Sequence, residues 1–581
     1  MGKNIGVYIC DCDGEISKTV DVDAVTIFAG NQDEVVVSRV HNNLCSTDGL
    51  EAIKKDIETG KVDRVLIAGC SPKRYDDLFR SAFEKSGLNR GFYLRRNIRE
   101  QCAWVHEDKD IATEKAKLLV KSGISELKLC DPVQEIKTKM GRTSLVIGGG
   151  VAGMSAALDL AKNGFYTYLV ERDEELGGRA FNVSMTHPTT ECGICCIHDC
   201  RDCVLTPKPE EVYCNENIDV MLSSEVVDAL GHVGDYTVNI KGKNGALRAI
   251  NVGTVIIATG YKPFDPAKIP EYSYDHKNVL TSLELEKLFL EQKPSRTGVR
   301  RPSDGKVPDT ISFIQCVGSR DINKGNPWCS LVCCNYAIGQ AKSLKKMHPE
   351  TDITIHYIDI RASYRGFEEF YNEVLAMGVK FLRGRVAEVQ RLNDSLQIIC
   401  EDTISGDPVQ TKADMVILSI GMEPNEDTKR LAEMFHRELS EDGFYRDLNL
   451  NLKFSPEART GVFLAGCAEG PKSIRYSIAD GKIAAGLVAD MMRKGYILAE
   501  DTLGIVDEDL CGRCRVCISL CPYDAIKLED IEQGKAIAKI DPAGCTGCGV
   551  CGAACPTGAI LMGQFKDDLV YAQIDALSEE V

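Results

Sequence analysis

Nowhere in the 581 residues does an apolar run approach the ~20 that a membrane-spanning helix requires. Positive charge is short: 69 Lys and Arg stand against 86 Asp and Glu, a formal net charge of −17. That balance argues against nucleic acid or an anionic membrane surface as the main partner and leaves basic protein surfaces open. Histidine is scarce at nine, with no i, i+4 pair, so His187, His198 and His232 read as ordinary side chains. Neither G-x-S-x-G nor H-E-x-x-H occurs, which leaves a hydrolase without support. The segment Met1 to Cys10 has no cleavage-site pattern and reads as a first strand, and Gly6 stands where a myristoylation signal wants Ser or Thr. Low-complexity and solenoid repeats are missing too.

Cysteine, by contrast, is abundant at 26. A chain this long can build hydrophobic cores and has no need of a disulfide framework. The thiols therefore read as ligands in a reducing, cytoplasmic setting. The length suggests about four domains. Apolar runs at Ile5–Ile9, Val35–Val37 and Arg64–Ala68 alternate with helical stretches and point to an N-terminal α/β domain over 1–140. Further α/β sequence over 141–290 and 412–498 flanks a block at 291–411, and a compact module occupies 504–563.

That last module holds the most specific pattern. Cys511-x2-Cys514-x2-Cys517-x3-Cys521-Pro522 is repeated as Cys545-x2-Cys548-x2-Cys551-x3-Cys555-Pro556. Three close thiolates wrap one corner of a cubane and the fourth, before proline, reaches across to the other cluster. One [4Fe–4S] cluster is thus expected on Cys511, Cys514, Cys517 and Cys555, the other on Cys545, Cys548, Cys551 and Cys521. Zinc also accepts Cys-x2-Cys pairs, but two complete four-cysteine runs favour the clusters.

A second motif, Gly148-Gly149-Gly150-Val151-Ala152-Gly153, follows the strand Thr143–Ile147 and precedes an apolar helical run. Gly148, Gly150 and Gly153 permit the tight turn by which backbone N–H groups and a helix N-terminus approach a pyrophosphate. Glu171 ends the next strand, where a carboxylate can bind a ribose hydroxyl, and Arg172 follows it. Leu176-Gly177-Gly178-Arg179, Ala258-Thr259-Gly260 and the strand end at Gly461–Gly466 complete the set. Together these resemble the FAD-binding half of the thioredoxin reductase and glutathione reductase superfamily, and they select Gly178, Arg179, Thr259, Gly260 and Gly466 as further cofactor contacts. Cys467 departs from that superfamily, which has an aspartate there.

The superfamily's inserted domain opens with its own nicotinamide fingerprint. Here the strand Thr310–Cys316 runs into Val317-Gly318-Ser319-Arg320 without one. The strand end instead begins the run Cys316-x12-Cys329-x3-Cys333-Cys334, so a cluster is expected near the flavin in place of a hydride donor.

Ala68-Gly69-Cys70-Ser71-Pro72, Asn97 to Cys102, Arg301 to Gly305, Gln315 to Arg320 and Leu464 to Cys467 resemble the A subunit of heterodisulfide reductase, over about residues 3–560. The resemblance implies an α/β protein: a thioredoxin reductase-like core with two dinucleotide domains, an N-terminal α/β domain and a C-terminal two-cluster ferredoxin domain. It implies FAD, several [4Fe–4S] clusters, sister subunits, ferredoxin as an electron carrier and a homodimer inside a larger assembly. Family members often carry a second ferredoxin-like domain after the strand matching Tyr236–Ile240; a short turn at Lys243–Gly245 replaces it here. Electron-bifurcating members have a lysine where this chain has Gly339, which points to a plain electron relay unless Lys342 or Lys345 supplies the cation.

Cys192, Cys195, Cys196, Cys200, Cys203 and Cys214 crowd the flavin domain, and Cys200 with Cys203 matches the family's Cys-x2-Cys. An additional cluster is expected there, with zinc or a redox pair as alternatives. Cys10, Cys12, Cys45, Cys70 and Cys102 are candidates for one more, while Cys130 and Cys400 read as core thiols. The competing functions are an NAD(P)H oxidoreductase resembling the small subunit of glutamate synthase, and a non-catalytic carrier with a structural flavin.

Overall fold

Four apolar strands, Ile5–Cys10, Val35–His41, Arg64–Gly69 and Tyr93–Asn97, build a parallel sheet in the spatial order second, first, third, fourth. Every residue of Ile5–Cys10 is buried, as expected of a central parallel strand covered by helices on both faces. The helices Val22–Gly30, Thr47–Glu58 and Lys109–Leu129 start on side-chain caps: Asp21 accepts from Ala24 N at 2.9 Å, Ser46 from Gly49 N at 3.2 Å and Asp108 from Ile111 N at 3.0 Å. This computed structural model describes residues 3–182, 207, 209–292, 298–361, 365–392, 395–446, 460–499, 501–531 and 535–578.

The chain divides into two compact units, one taking residues up to 138 with those from 498 on, the other 139–449 with 455–497. In the first, the α/β sheet shares its unit with the cysteine-repeat module. That module pairs Gly504–Val506 with Ile560–Met562 and Ile526–Ile531 with Lys535–Ile540, all antiparallel. A last helix, Asp567–Ser578, packs on Lys109–Leu129, buries Leu569 in the N-terminal core and receives a 3.3 Å hydrogen bond from Arg96 Nη2 at Gln573 Oε1.

The second unit contains two similar halves. In one, a five-stranded parallel sheet runs Val462–Leu464, Thr254–Ile257, Thr143–Ile147, Tyr166–Val170, Ile218–Met221, beside a three-stranded antiparallel layer. In the other, a parallel sheet runs Val279–Thr281, Met415–Ile420, Thr310–Val317, Asp352–Tyr357, Lys380–Arg383, again with three antiparallel strands, Val386–Leu392, Ser395–Asp402 and Asp407–Ala413. This second sheet takes strands from both sides of residues 291–411. The turn at Lys243–Gly245 closes a hairpin between Asp235–Lys241 and Leu247–Val252, with Gly242 N donating to Ala246 O at 2.9 Å and Gly245 at φ +75°. No helix among the described residues is long and apolar enough to cross a membrane.

Candidate functional site

The glycine turn starts the site. Gly148 has φ +106°, and a Cβ there would lie 2.4 Å from Ala258 O; a Cβ on Gly153 would lie 1.9 Å from Gly148 O. Only glycine lets the strand Thr143–Ile147 pass so tightly into the helix Val151–Lys162. The helix is capped by Gly150, which has no side chain to occupy its first N–H groups, so they stay open to an anion. Glu171, 8% exposed, accepts from Gly149 N at 2.5 Å and from Asp173 N at 2.9 Å, which ties the acidic residue to the turn.

A long cavity starts at this turn and extends between the two halves of the second unit. Gly148, Gly150, Glu171, Arg172, Gly178, Arg179, Thr259 and Gly260 all line it. Gly153 and Gly466 do not; they allow close packing instead, with a Cβ on Gly466 meeting the Ala152 Cβ at 2.8 Å. Cys467 lines the cavity, and burial pushes its thiol above the ordinary range. Two lining residues carry a buried side-chain oxygen with no partner among the described residues, Thr259 Oγ1 and Gln340 Oε1. Open helix N–H groups, a glycine cradle and orphaned polar atoms fit a dinucleotide.

Sequence reading missed several residues of this wall because they come from distant strands and helices. Tyr261, Glu286, Tyr336, Gln340, Met422 and Lys472 all line it. Asn425 Nδ2 donates to Thr259 O at 2.8 Å, and Arg172 Nη2 to Asn425 Oδ1 at 3.1 Å. Lys342 and Lys345 are not on the cavity; Lys342 pairs with Glu373 at 2.6 Å and Lys345 donates to Pro349 O at 3.0 Å. Lys472 is a lysine that does line the cavity; it binds Glu469 at 2.7 Å and also pairs with Asp480. Burial lowers its pKa, but the two carboxylates outweigh that and hold it above the usual lysine value.

Behind the cavity wall lies the loop from Cys316 to Cys334. Cys316, Arg320 and Leu331 have φ of +61°, +56° and +58°, each a conformation that costs a non-glycine residue ~1–3 kcal/mol. Hydrogen bonds over-determine the loop: Ser319 and Ser330 hydroxyls meet at 2.6 Å, Met422 N donates to Ser330 Oγ at 2.9 Å, and Arg320 N donates to Trp328 O at 2.9 Å. Cys333 and Cys334 then open the helix Cys333–Met347. Cys333 Sγ donates to Ile420 O at 3.8 Å, and the Tyr336 hydroxyl donates to the same carbonyl at 3.0 Å. Since Tyr336 and Ile420 line the cavity, the Cys333 thiol backs onto its wall, while Cys334 Sγ donates to Asp359 O at 3.7 Å. Burial pushes Cys316 up to about 11 and Cys333 well above the ordinary thiol value. Iron would deprotonate such thiols outright.

In the repeat module, Cys521, Cys545, Cys548 and Cys551 line one small cavity, the grouping that cross-ligation requires. Cys511, Cys514 and Cys517 follow one another on the companion loop, with Cys555 Sγ 3.6 Å from Thr557 Oγ1. Each loop has two left-handed positions: Gly547 and Gly549 in one, Arg513 and Arg515 in the other.

A third cysteine cavity lies at the ends of the strands Ile5–Cys10 and Arg64–Gly69, the switch point of the N-terminal sheet. Cys10, Cys12, Cys45 and Cys70 line it with Arg74, Arg95 and Arg99. Cys12 Sγ donates to Cys10 Sγ at 3.4 Å and Arg95 Nη2 to Cys70 Sγ at 3.3 Å. The Cys12 thiol lowers its neighbours Cys10 and Cys70 below the ordinary thiol value, Arg95 and Arg99 adding to the effect at Cys70. Cys102, expected beside them, is instead fully buried in the hydrophobic core, where desolvation raises it to about 11. Cys130 and Cys400 are buried core thiols. Cys192, Cys195, Cys196, Cys200 and Cys203 lie outside the described residues, and Cys214 is exposed. Among the described residues no three Cys, His, Asp or Glu side chains close on a single-ion site; a cubane, with a thiolate at each iron, asks for a wider cage.

A pyridine nucleotide-disulphide oxidoreductase family model matches residues 142–307, and a 4Fe-4S dicluster domain matches residues 510–559. The iron-sulfur A subunit 2 of CoB–CoM heterodisulfide reductase from Methanopyrus kandleri is 38% identical over 98% of this chain and 98% of its own. The A subunit of the H2:CoB-CoM heterodisulfide,ferredoxin reductase from Methanothermobacter marburgensis is 37% identical over 99% of this chain and 97% of its own. Both alignments, at 651 and 655 positions, are longer than the 581-residue chain, so each relative carries sequence that this chain lacks. Among solved structures, T. acidophilum thioredoxin reductase is 16% identical, covering 61% of this chain and 99% of that one, with a TM-score of 0.40. With such identity to the two methanogen relatives over nearly the whole of both sequences, the chain belongs to the A-subunit family of heterodisulfide reductases, oxidoreductases that join an FAD-binding core to [4Fe–4S] clusters.

Proposed function

We propose that the chain is the electron hub of a heterodisulfide reductase-like complex, passing electrons between ferredoxin-type clusters and FAD. The observation that carries this reading is the carbonyl of Ile420, which accepts from both the Cys333 thiol and the Tyr336 hydroxyl while Ile420 and Tyr336 form part of the dinucleotide cavity. FAD, when bound, exchanges one or two electrons, and each cluster exchanges one.

The residues divide that work. Gly148, Gly150 and the open start of Val151–Lys162 hold the pyrophosphate; Glu171 orients the turn; Arg172, Arg179, Thr259 and Gly260 line the remaining length. The helix Ile474–Lys494 begins at the cavity with Ile474 and Ser477, where its positive end stabilises negative charge. Cys316, Cys329, Cys333 and Cys334 hold one cluster at the cavity wall. Cys511, Cys514, Cys517 and Cys555 hold a second, and Cys545, Cys548, Cys551 and Cys521 a third. Cys10, Cys12, Cys45 and Cys70, ringed by three arginines that offset thiolate charge, hold a further one. Relatives named as ferredoxin-dependent heterodisulfide reductases make reduced ferredoxin the carrier to test, with sister subunits of a cytoplasmic assembly as the other partners.

With reduced ferredoxin as donor, Cys333→Ala should leave bleaching of the repeat module intact and slow flavin bleaching at least tenfold, the equivalent of ~1.4 kcal/mol in the barrier. Flavin bleaching at the unaltered rate would contradict the reading.

A further inference from the structure

Arg320 stands out among the charged residues around the Cys316–Cys334 loop. Its backbone is fixed on both sides: φ is +56°, its N–H donates to Trp328 O at 2.9 Å, and its carbonyl accepts from Arg385 Nη1 at 3.0 Å. The left-handed conformation favours glycine, so the surrounding hydrogen bonds hold Arg320 there at a cost. One arm of the guanidinium is engaged, Nη2 donating to Asp359 Oδ2 at 2.8 Å. The other, Nη1, is buried and meets no acceptor in hydrogen-bond geometry, and the guanidinium's remaining interaction is with the Cys316 thiol, whose rise on burial it opposes. A buried, unsatisfied guanidinium N–H is costly unless something accepts from it. The groups its charge acts on are the thiols of Cys316, Cys329 and Cys334. Arg361 acts on Cys334 as well, and Asp359 is the carboxylate opposing Arg320, itself shared with Arg383 at 3.4 Å.

We propose that Arg320 tunes the cluster held by Cys316, Cys329, Cys333 and Cys334, donating from its Nη1 arm to the cluster's sulfur and raising its reduction potential, with Asp359 damping that effect. The inference rests on the reading that these four cysteines hold a [4Fe–4S] cluster. Such a cluster gains negative charge when it takes an electron, so a fixed cation and a charge-assisted hydrogen bond favour the reduced form. The pair thereby sets how readily the centre behind the flavin cavity accepts an electron.

The test is an EPR-monitored potentiometric titration of the full-length holoprotein, with iron counted in every variant. Cys333→Ala identifies the signal of this cluster by its loss. In Arg320→Gln the reduced-to-oxidised ratio, read at the potential where the unaltered cluster is half reduced, should fall about tenfold, a shift of ~59 mV for a one-electron couple. Arg320→Lys, which keeps the charge and loses the planar fork, should shift less. Asp359→Asn should shift the opposite way, by a smaller amount because its carboxylate is exposed. If Arg320→Gln loses the cluster, the lysine and asparagine variants decide. A midpoint unmoved in all variants that retain iron overturns the proposal. Iron and EPR signals untouched by Cys333→Ala would instead overturn the cluster assignment on which it rests.

Discussion

The two halves of the central unit share one architecture and differ sharply in the passage from the central strand of each parallel sheet to its helix. In the first half, Thr143–Ile147 reaches Val151–Lys162 through three glycines; in the second, Thr310–Val317, with Cys316 near its end, reaches Cys333–Met347 only after a loop carrying Cys329. Both passages sit at the carboxyl end of a parallel strand, where such sheets bind their ligands. The first is narrow, with left-handed backbone at Gly148 and open helix N–H groups, and suits a phosphate. The second sets left-handed backbone at Cys316, Gly318 and Arg320 and fills the helix start with Cys333 and Cys334, which suits iron and leaves no glycine cradle for a nicotinamide. On the proposed reading, one fold supplies a two-electron flavin site and a one-electron cluster site at corresponding strand ends.

The contrast can be broken most severely at Gly153, where a Cβ would lie 1.9 Å from Gly148 O. Gly153→Ala should cut the flavin content of purified protein to roughly a tenth or less, equivalent to ~1.4 kcal/mol or more in binding, and leave iron unchanged; retained flavin would count against the glycine-turn assignment. The complementary change, Cys334→Ala, should lower iron by about four atoms per chain and spare the flavin. An iron analysis showing no loss would remove the cluster from the second half.

A pH effect sharpens the comparison further. His356, on the second half's strand Asp352–Tyr357, is held by burial at about 4, below its ordinary 6.5. Its neutral form stabilises the fold fully above pH 6.5, and that contribution, at most ~3 kcal/mol, is lost as pH falls toward 4 because the unfolded chain takes up the proton first. Urea titrations from pH 7 to 4.5 should show this slope in the unaltered chain and a shallower one in His356→Gln. Gly318→Ala should cost ~1–3 kcal/mol of thermal stability, since φ is +75° and the new Cβ meets the Phe264 ring at 2.1 Å. The smallest effect belongs to Lys342→Ala. Lys342 pairs with Glu373 and stacks over Phe370 off the cavity, so flavin potentials should stay in place and stability change by no more than ~1 kcal/mol. A moved flavin potential would show that Lys342 acts on the flavin after all.

Sequence exposes these two halves unequally. The first is legible because its turn is local: glycines, strand and helix lie within about twenty residues of one another, and Glu171 stands where the second strand ends. The repeat module is legible for the same reason, with its thiols at short fixed spacings. In the second half the cysteine count signals a site, but its cage depends on Met415–Ile420, which comes from much later in the chain and supplies the shared carbonyl of Ile420. Lys472, Tyr336 and Gln340 reach the cavity by tertiary packing alone, so no spacing announces them. Cys102 shows the opposite error. Loose spacing says nothing of side-chain direction, and the fold turns Cys102 into the core while Cys10, Cys12, Cys45 and Cys70 meet in one cavity.

Anaerobic reduction of the full-length holoprotein, scoring flavin and iron–sulfur bleaching separately with reduced ferredoxin, NADH and NADPH, decides whether iron has replaced the nicotinamide in the second half. Ferredoxin should bleach both chromophores, and neither nicotinamide should bleach either within the same period. Rapid flavin bleaching by NADH or NADPH would mean that the second half still receives a hydride donor, and the exchange of nicotinamide for iron at Cys316–Cys334 would be wrong.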